Sequence, residues 1–271
     1  MKPRPFDYVR PDTVEEVLAL LAEYGDDARV LAGGQSLIPM LNLRLIEVAV
    51  LIDISRIGEL ASIRVADGAL EVGAAVTQNK LLAWPNLASD FPLLATGLPF
   101  IGHFQTRNKG TVCGSIAHAD PSSELPLLLA MYDGEVMLRS QRGARVLQAT
   151  DFHKDMLSTA REPDELIVAV RFPQRRNARA AFREIARRHG DFAIIAVAAS
   201  AGEDGAVTLG VGGMAGRPMT RMIAVRDASA ADAIKEWAEQ LEGYDDLHAS
   251  AAMRRDMFRK LATSVVTEVR Q

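Results

Sequence analysis

The chain has 271 residues, which is enough for one large domain or two of ordinary size around a buried core. Its composition, 48% hydrophobic and 24% charged, is typical of a globular protein. The formal net charge of −4 argues against a protein that neutralises nucleic-acid phosphates, and no apolar run approaches the roughly 20 residues of a membrane-spanning helix. We therefore expect neither a nucleic-acid partner nor a membrane span.

Cysteine and histidine usage limits what this chain can hold on its own. The single Cys113 excludes an intrachain disulfide, and residues 1–6 lack the apolar core of a signal peptide, so a reducing cytoplasm is the expected location. An iron–sulfur cluster normally takes four cysteines, so any such cluster in this system would belong to another chain. The five histidines lack metal-ligand spacing, and we predict no metal site.

The first 55 residues read as strand, helix, strand, helix, strand. Thr13 and Glu16 have the spacing of a capping box, in which each side chain accepts a hydrogen bond from the other's backbone N–H. Gly25 is placed to end this first helix. Strands are predicted over residues 6–9, 29–32 and 50–54, with a second helix over residues 37–45.

The next segment changes to hairpins and short helices. Asp67-Gly68 predicts a tight hairpin turn, because glycine accepts positive φ without strain. Further predictions are a hairpin over residues 135–139 and 145–148, a strand over 166–172, and helices over 77–83 and 91–101. Residues 102–121 are predicted as a loop that is too long to be a mere connector. The proline-containing, charged segment 173–177 is the predicted domain boundary.

Beyond that boundary, three strands over residues 180–186, 192–200 and 207–212 predict a small antiparallel sheet, followed by helices from residue 231 onward. In the last helix, a stripe at i, i+4 spacing is expected to face its own domain's core. Its members are Met253, Met257, Leu261 and Val265.

Two patterns in this region resemble ligand sites, and for both we favour a structural role. Six arginines between residues 175 and 188 form a basic stretch that is predicted to face solvent. Residues 210–215 match the dinucleotide fingerprint G-x-G-x-x-A, but Arg217-Pro218 follows where a helix should begin. A turn at the end of a strand is therefore the preferred interpretation.

Two segments of small residues carry the functional signal. Residues 32–36 (AGGQS) lie between a strand and a helix, where adjacent glycines let the backbone approach a ligand and point N–H groups at an anion. Residues 111–121 (TVCGSIAHADP) alternate small residues with hydroxyl and carboxylate groups and have little apolar mass to pack. Two such segments, neither with a P-loop pattern, favour a dinucleotide bound between subdomains over a lone phosphate.

The sequence around these two segments resembles that of a known protein family. Residues 31–39 (LAGGQSLIP) and 110–121 (GTVCGSIAHADP) are similar to the FAD-binding subunit of molybdenum hydroxylases of the carbon monoxide dehydrogenase and xanthine dehydrogenase type. The resemblance extends to residues 162–167 (EPDELI), 181–188 (AFREIARR) and 190–193 (GDFA). Their order and spacing match across nearly the whole chain.

The resemblance implies an α+β fold in two domains. Residues 1–175 would form a FAD-binding domain of the PCMH/vanillyl-alcohol-oxidase type, with subdomains of about residues 1–55 and 56–175. Residues 176–271 would form a small domain of antiparallel sheet plus helical bundle, similar to the C-terminal domain of carbon monoxide dehydrogenase flavoproteins.

The same resemblance implies three groups of cofactor-binding residues. The first would wrap the FAD pyrophosphate, mainly through backbone N–H groups, and comprises Val30, Leu31, Ala32, Gly33, Gly34, Gln35, Ser36 and Leu37. The second cradle comprises Thr111, Gly114, Ser115 and Ala117, with Asp120 or Glu124 bonding to ribityl or ribose hydroxyls. The third group is expected near the isoalloxazine ring and comprises Leu166, Ile167, Arg183 and Phe192. Ile101 is also expected to contact the cofactor.

Two positions depart from the family pattern. Cys113 stands where relatives usually have a second glycine, and its Cβ would obstruct a positive φ and fill space at the cofactor. Phe192 stands where several relatives have a tyrosine, so a phenol that could donate a hydrogen bond is missing. Both substitutions are expected to bear on how FAD fits.

The function implied is electron transfer in a complex. A large molybdenum-pterin subunit would hydroxylate the substrate, and a small subunit with two [2Fe-2S] clusters would pass electrons to the FAD of this chain for a terminal acceptor. A dimer of such heterotrimers is expected, and no residue here is predicted as a catalytic acid or base. Two alternatives remain open: a stand-alone FAD-dependent oxidoreductase of the same fold, and a non-catalytic assembly subunit without FAD.

Overall fold

The computed structural model describes residues 1–176, 178–202, 205–223 and 229–271. Within these ranges the chain forms three sheets of three, five and four strands, a short two-stranded ribbon, and helices packed between and against the sheets. No helix in the described ranges is long and apolar enough to cross a membrane.

The first sheet is parallel, and its loops create one wall of the site. Its elements are β1 (Asp7–Val9), α1 (Val14–Tyr24), β2 (Ala28–Leu31), α2 (Leu37–Asn42) and β3 (Val50–Asp53). Strand β3 is buried along its whole length and pairs with β1 on one side and β2 on the other. Because β2 and β3 are parallel, the chain must cross over between them, and the turn that follows β2 stands at the carboxyl edge of the sheet.

The N-terminal cap of α1 differs in one hydrogen bond from the predicted capping box. Thr13 Oγ1 accepts from the backbone N–H of Glu16 at 3.2 Å, as expected. The Glu16 carboxylate, however, accepts from the N–H of Asp12 at 2.9 Å, one residue earlier than the predicted partner. Gly25 ends the helix at a φ of 50°, as predicted, and its N–H donates to the carbonyl of Leu21.

The second sheet is antiparallel, in the order β4-β5-β10-β6-β7. Its strands are β4 (Ile63–Ala66), β5 (Ala69–Gly73), β6 (Glu135–Ser140), β7 (Gly143–Gln148) and β10 (Leu166–Pro173), and the ribbon is β8 (His153–Asp155) with β9 (Ser158–Thr159). Both predicted hairpins are confirmed. Asp67 and Gly68, at the tip of the first hairpin, have φ values of 50° and 71°.

Short helices lie between the strands of this second sheet. They are α3 (Gln78–Leu82), α4 (Leu87–Asp90), α5 (Pro92–Gly97), α6 (Phe104–Arg107), α7 (Val112–His118), α8 (Glu124–Met131) and α9 (Ala149–Phe152). The predicted loop over residues 102–121 is wrong, since it contains α6 and α7. Helix α7 buries Val112, Cys113 and Ile116, and it ends at Ala119, which has a φ of 52°.

The third sheet is an antiparallel meander with one more strand than predicted. Its elements are β11 (Arg179–Ile185), β12 (Ile195–Ala201), β13 (Val207–Gly212), β14 (Met219–Ile223), α10 (Ser229–Gln240) and α11 (Ala251–Arg270). Strand β14 was not predicted, and β12 begins three residues after the predicted start at residue 192. Two helices, rather than a bundle, cover one face of this sheet, and α5 and α8 pack against the other.

Side chains along the strands of the third sheet point alternately into two hydrophobic cores, one on each face. On β11, Ala181 and Ile185 face α10 and α11, whereas Phe182 belongs to the core shared with the first two sheets. The predicted stripe on α11 is displaced by about one residue, because Met253 is 47% exposed and Phe258 is fully buried. Of the predicted stripe, Val265 is fully buried, and Met257 and Leu261 are partly buried.

The basic stretch at residues 175–188 and the glycines of residues 210–215 both have structural roles. Several arginines of the basic stretch form surface ion pairs, among them Arg175 with Asp133 at 2.7 Å. Gly210 and Gly212 lie in β13, and no helix follows them. A Cβ at Gly210 would collide with Met131 and Leu127 of α8, so close helix–sheet packing accounts for this glycine.

Candidate functional site

A cleft of about 760 Å³ opens where the first sheet, the second sheet and the loop before β12 meet. Sixteen of the nineteen predicted site residues line it. They are Val30, Ala32, Gly33, Gly34, Gln35, Ser36, Leu37, Ile101, Thr111, Gly114, Ser115, Ala117, Glu124, Leu166, Ile167 and Phe192. Leu31 lines a neighbouring depression of about 690 Å³ across the same turn.

Two turns contact each other directly: the first turn, residues 32–36 after β2, and the second turn, residues 109–111 before α7. A Cβ built on Gly33 would overlap the carbonyl oxygen of Lys109 and come within 2.8 Å of the Cα of Gly110. Both obstacles are backbone atoms, which cannot rotate away as a flexible side chain can. Glycine at position 33 is therefore required by the approach of the second turn, and segments more than 70 positions apart form one continuous wall.

The turn after β2 presents free backbone donors. Gly34 has a φ of 70°, in the left-handed region that favours glycine, and its carbonyl accepts from Ile38 N–H at 3.1 Å as α2 begins. Throughout the described ranges, the N–H groups of residues 33–37 have no acceptor. Successive unpaired N–H groups of this kind suit an anion.

The second turn, residues 109–111, is held in place by the segment that connects β5 to α3. Thr111 Oγ1 accepts from Gly114 N–H at 3.0 Å and so caps α7. Val112 N–H donates to Val76 at 3.0 Å, and Gly110 accepts from the N–H of Gln78 at 2.9 Å. Because these bonds fix the first turn of α7, its orientation toward the cleft is set before any ligand arrives.

Gln78 is a cleft residue that the sequence analysis missed. Its side chain is only 5% exposed, yet its Oε1 atom has no hydrogen-bond partner among the described residues. A buried polar atom without a partner costs roughly 1–3 kcal/mol, so such atoms commonly have a ligand or water as their partner. No local signal singled out Gln78, because its neighbours Thr77, Asn79 and Lys80 are polar as well.

Two arginines that line the cleft were also missed. Arg29 and Arg161 both border it, and burial followed by the nearby Arg29 charge lowers the pKa of Arg161. The Arg161 guanidinium donates to the backbone carbonyl of Glu165 at 2.8 Å. Two like charges placed close together and partly desolvated favour binding of an anion between or beside them.

Two predicted residues, Asp120 and Arg183, do not reach the cleft. The Asp120 carboxylate accepts from Ser122 N–H at 2.9 Å in the turn before α8. Arg183 points to the opposite face of β11, where its guanidinium bonds to Glu268 of α11 at 2.6 Å. Strand alternation explains this orientation, since neighbouring residues on a strand face opposite sides of the sheet.

Cys113 does not occupy a position that requires positive φ. It lies within helix α7, 3% exposed, with its Sγ 3.5 Å from the carbonyl of Val72. The expected conflict between its Cβ and the backbone conformation is therefore absent. Burial raises the pKa of its thiol to about 12.

We expect this thiol to be unreactive in the folded protein, because the thiolate is the nucleophile and burial suppresses it. At pH 8, a thiol reagent such as iodoacetamide should leave Cys113 unmodified for hours in buffer and alkylate it within minutes in denaturant. Mass spectrometry measures the modified fraction. Equal rates in both conditions would show that Cys113 is accessible.

Comparison with known proteins agrees with this geometry. Residues 4–175 match the family model described as FAD binding domain in molybdopterin dehydrogenase. A 195-residue segment is 43% identical to the 6-hydroxypseudooxynicotine dehydrogenase complex subunit alpha of Paenarthrobacter nicotinovorans, covering 72% of this chain and 66% of that protein. The carbon monoxide dehydrogenase medium chain of Hydrogenophaga pseudoflava is 33% identical over 271 residues, covering 93% and 94% of the two chains.

A solved structure extends the similarity to the whole fold. The crystal structure of quinoline 2-oxidoreductase from Pseudomonas putida 86 contains a chain that superposes with a TM-score of 0.93 at 33% identity, covering 100% of this chain and 99% of that one. The family match, the curated relatives and the mixed α/β fold agree with the resemblance read from residues 31–39 and 110–121. The chain belongs to the family of FAD-binding domains of molybdopterin dehydrogenases.

Proposed function

We propose that this chain binds FAD in the cleft and serves as the electron-transferring flavoprotein subunit of a molybdenum hydroxylase. The proposal rests mainly on the contact between Gly33 and the backbone of Gly110, which joins the first and second turns into one wall of the cleft. FAD in such a subunit can accept electrons singly and release them in pairs, while the protein binds, orients and tunes it.

The residues at the cleft suit the chemical groups of FAD. The unpaired N–H groups of residues 33–37 would bind the diphosphate, with Arg29 and Arg161 adding positive charge and the start of α7 forming the other side of the cleft. Gln78 would bond to a polar group of the cofactor. The chain at Leu166 and Ile167, together with Phe192, offers apolar surface for the flavin ring.

Partner subunits complete the proposed function. We infer a large molybdenum-pterin subunit and a small subunit with two [2Fe-2S] clusters, since this chain has one cysteine and no cluster of its own. The names of similar proteins, such as the carbon monoxide dehydrogenase medium chain, support a multi-subunit complex. A dimer of heterotrimers in the cytoplasm is the assembly we propose.

The division of the chain is part of the same proposal. We place a FAD-binding domain of the PCMH/vanillyl-alcohol-oxidase type at residues 1–175, with subdomains of about 1–55 and 56–175 around the first two sheets. Residues 176–271 form the second domain around the third sheet. Support comes from the family match, which ends at residue 175, and from the separate core between β11–β14 and the last two helices.

Titration of the purified chain with FAD tests the proposal. We expect one FAD per chain, seen as flavin absorbance that co-elutes with the protein after gel filtration. The chain alone should not turn over small substrates, whereas the complex isolated with its partners should reduce its FAD when substrate is added. A chain that never binds FAD would favour an assembly role, and turnover without partners would favour a stand-alone oxidoreductase.

Gln78→Leu separates cofactor binding from folding. Leucine removes a buried oxygen that has no partner in the cofactor-free chain, so the stability of that chain should stay constant or rise. FAD should bind about 10-fold more weakly, which corresponds to roughly 1.4 kcal/mol. Calorimetric titration and thermal unfolding measure the two quantities. Unchanged FAD affinity would show that Gln78 does not contact the cofactor.

A further inference from the structure

One leucine in the wall of the cleft has an unusual backbone conformation. Strands β8 and β9 are joined by the two-residue turn Met156-Leu157, and Leu157 has a φ of 55°. This left-handed region favours glycine, because the Cβ of other residues comes too close to the following carbonyl oxygen. Of the six non-glycine residues with positive φ in the described ranges, Leu157 alone has a large apolar side chain. The turn therefore carries backbone strain at a position where glycine would relieve it.

Contacts with two other parts of the chain hold this strained turn in place. The N–H of Leu157 donates to the carbonyl of Ala119, directly after α7, at 3.0 Å. Asp155 Oδ1 accepts from the N–H of Met156 at 2.8 Å. The backbone of Gly216, between β13 and β14, packs so closely that a Cβ there would overlap the same carboxylate oxygen. Strain of this kind persists only where the surrounding structure maintains it.

The strained residue presents an apolar side chain to the cleft. Leu157 lines the cleft, and it is 52% exposed. An exposed leucine alone needs no explanation, but strained residues cluster where a ligand is held. A ligand that covered the exposed part of this side chain would remove apolar surface from water and so be bound more tightly.

Leu157 begins a strip of three cleft residues with different chemistry. Thr159 follows two positions later and Arg161 two positions after that, and all three line the cleft. Thr159 Oγ1 accepts from the N–H of Arg161 at 3.3 Å, so the hydroxyl and the cation lie on one connected segment. The order of apolar group, hydroxyl and cation is that of the groups that suit the base, the ribose and the phosphates of a nucleotide.

The continuation of this wall indicates which ring of FAD would meet Leu157. Arg161 is followed by Leu166 and Ile167, which also line the cleft and are the proposed neighbours of the flavin ring. Arg161 is one of the two proposed cations for the diphosphate. Leu157 and the flavin-facing residues therefore stand on opposite sides of the diphosphate position along this wall. The adenine ring is the part of FAD that lies across the diphosphate from the flavin.

We propose that Leu157 covers one face of the adenine ring and so makes the cleft prefer FAD over FMN, which lacks the adenosine half. This inference rests on the proposed function and assigns a specificity-determining residue within the same cleft. Contact with the ring removes apolar surface of both partners from water, and this gain offsets the strain that the cofactor-free chain carries at φ 55°. Preference for FAD then follows because FMN cannot make the contact.

Calorimetric titration of the whole chain with FAD, FMN and ADP tests the inference. Leu157→Ala removes most of the side chain and keeps a Cβ at the strained position. FAD and ADP should each bind this variant about 10-fold more weakly than the wild type. FMN, which has no adenine, should bind both proteins with affinities within about 2-fold of each other. The preference for FAD over FMN should therefore fall about 10-fold.

Leu157→Gly and Met156→Ala separate the contact from the strain. Glycine also removes the side chain, so FAD should lose at least as much affinity as with Leu157→Ala. The melting temperature of the cofactor-free chain should nevertheless rise by about 2–4 °C, because glycine tolerates positive φ. Met156 is the neighbouring turn residue, is 50% exposed and does not line the cleft. Met156→Ala should leave all three affinities within about 2-fold of the wild type.

Three results would overturn the inference while leaving FAD binding, and hence the proposed function, intact. They are an unchanged FAD affinity in Leu157→Ala, an equal loss for FMN and FAD in that variant, and a wild type that binds FMN as tightly as FAD. If the wild type binds neither FAD nor ADP, the proposed function and this inference fail together.

Discussion

Gly33→Ala is expected to weaken FAD binding by at least about 100-fold, or roughly 2.7 kcal/mol. The added methyl group would overlap Lys109 O and approach the Gly110 Cα to 2.8 Å, so the two turns must separate. The unpaired N–H groups of residues 33–37 would then be displaced from the diphosphate. Calorimetric titration with FAD measures the change, and circular dichroism shows whether the fold is retained.

Gly58→Ala is the matched control for this substitution. A Cβ at Gly58 has no atom within 4 Å, and its backbone lies outside the positive-φ region. The same chemical change should therefore leave FAD affinity within about 2-fold of the wild type, since nothing has to move. Equal affinities for Gly33→Ala and wild type would mean that the contact between the turns is irrelevant to the cofactor.

Arg254→Met is expected to destabilise the chain by about 3–5 kcal/mol, the usual cost of breaking a buried ion pair. The Arg254 side chain is 1% exposed and bonds to the Asp246 carboxylate at 2.5 Å. It also donates to the backbone carbonyls of Ile194, Gly213 and Tyr244. Its removal would leave three carbonyls and one carboxylate without their partner where α11 meets β12 and β13.

Arg259→Met provides the comparison on the same helix. Its ion pair with Asp256, three residues away, is exposed, and exposed pairs contribute at most about 1 kcal/mol. Chemical denaturation of both variants measures the difference. If Arg254→Met cost no more than Arg259→Met, the view of Arg254 as the buried anchor of the third sheet would be wrong.

Local patterns in the sequence predicted much of this fold because their causes are local. The cap at Thr13, the stop at Gly25 and the turn at Asp67-Gly68 depend on residues that are neighbours along the chain. The small residues at 32–36 also indicated a ligand-facing turn without knowledge of the partner turn. Their convergence with residues 111–121 on one dinucleotide was inferred from the small residues of both segments, and the resemblance to a family agreed with it.

The errors have tertiary causes. Helix α7 has little apolar periodicity, and it forms because Thr111 caps it and Val76, in the segment after β5, accepts from its first N–H. The orientation of Arg183 depends on the register of β11, which a motif does not encode. The same register puts the neighbouring Glu184 on the face of β11 opposite to Arg183. Gln78 is notable only after folding, when its oxygen proves to be buried without a partner.

An experimental structure of the chain with FAD tests the central claim most directly. We expect the diphosphate within hydrogen-bonding distance of the N–H groups of residues 33–37 and in contact with the first turn of α7. A diphosphate that touches neither turn, or FAD held elsewhere on the molecule, would contradict it.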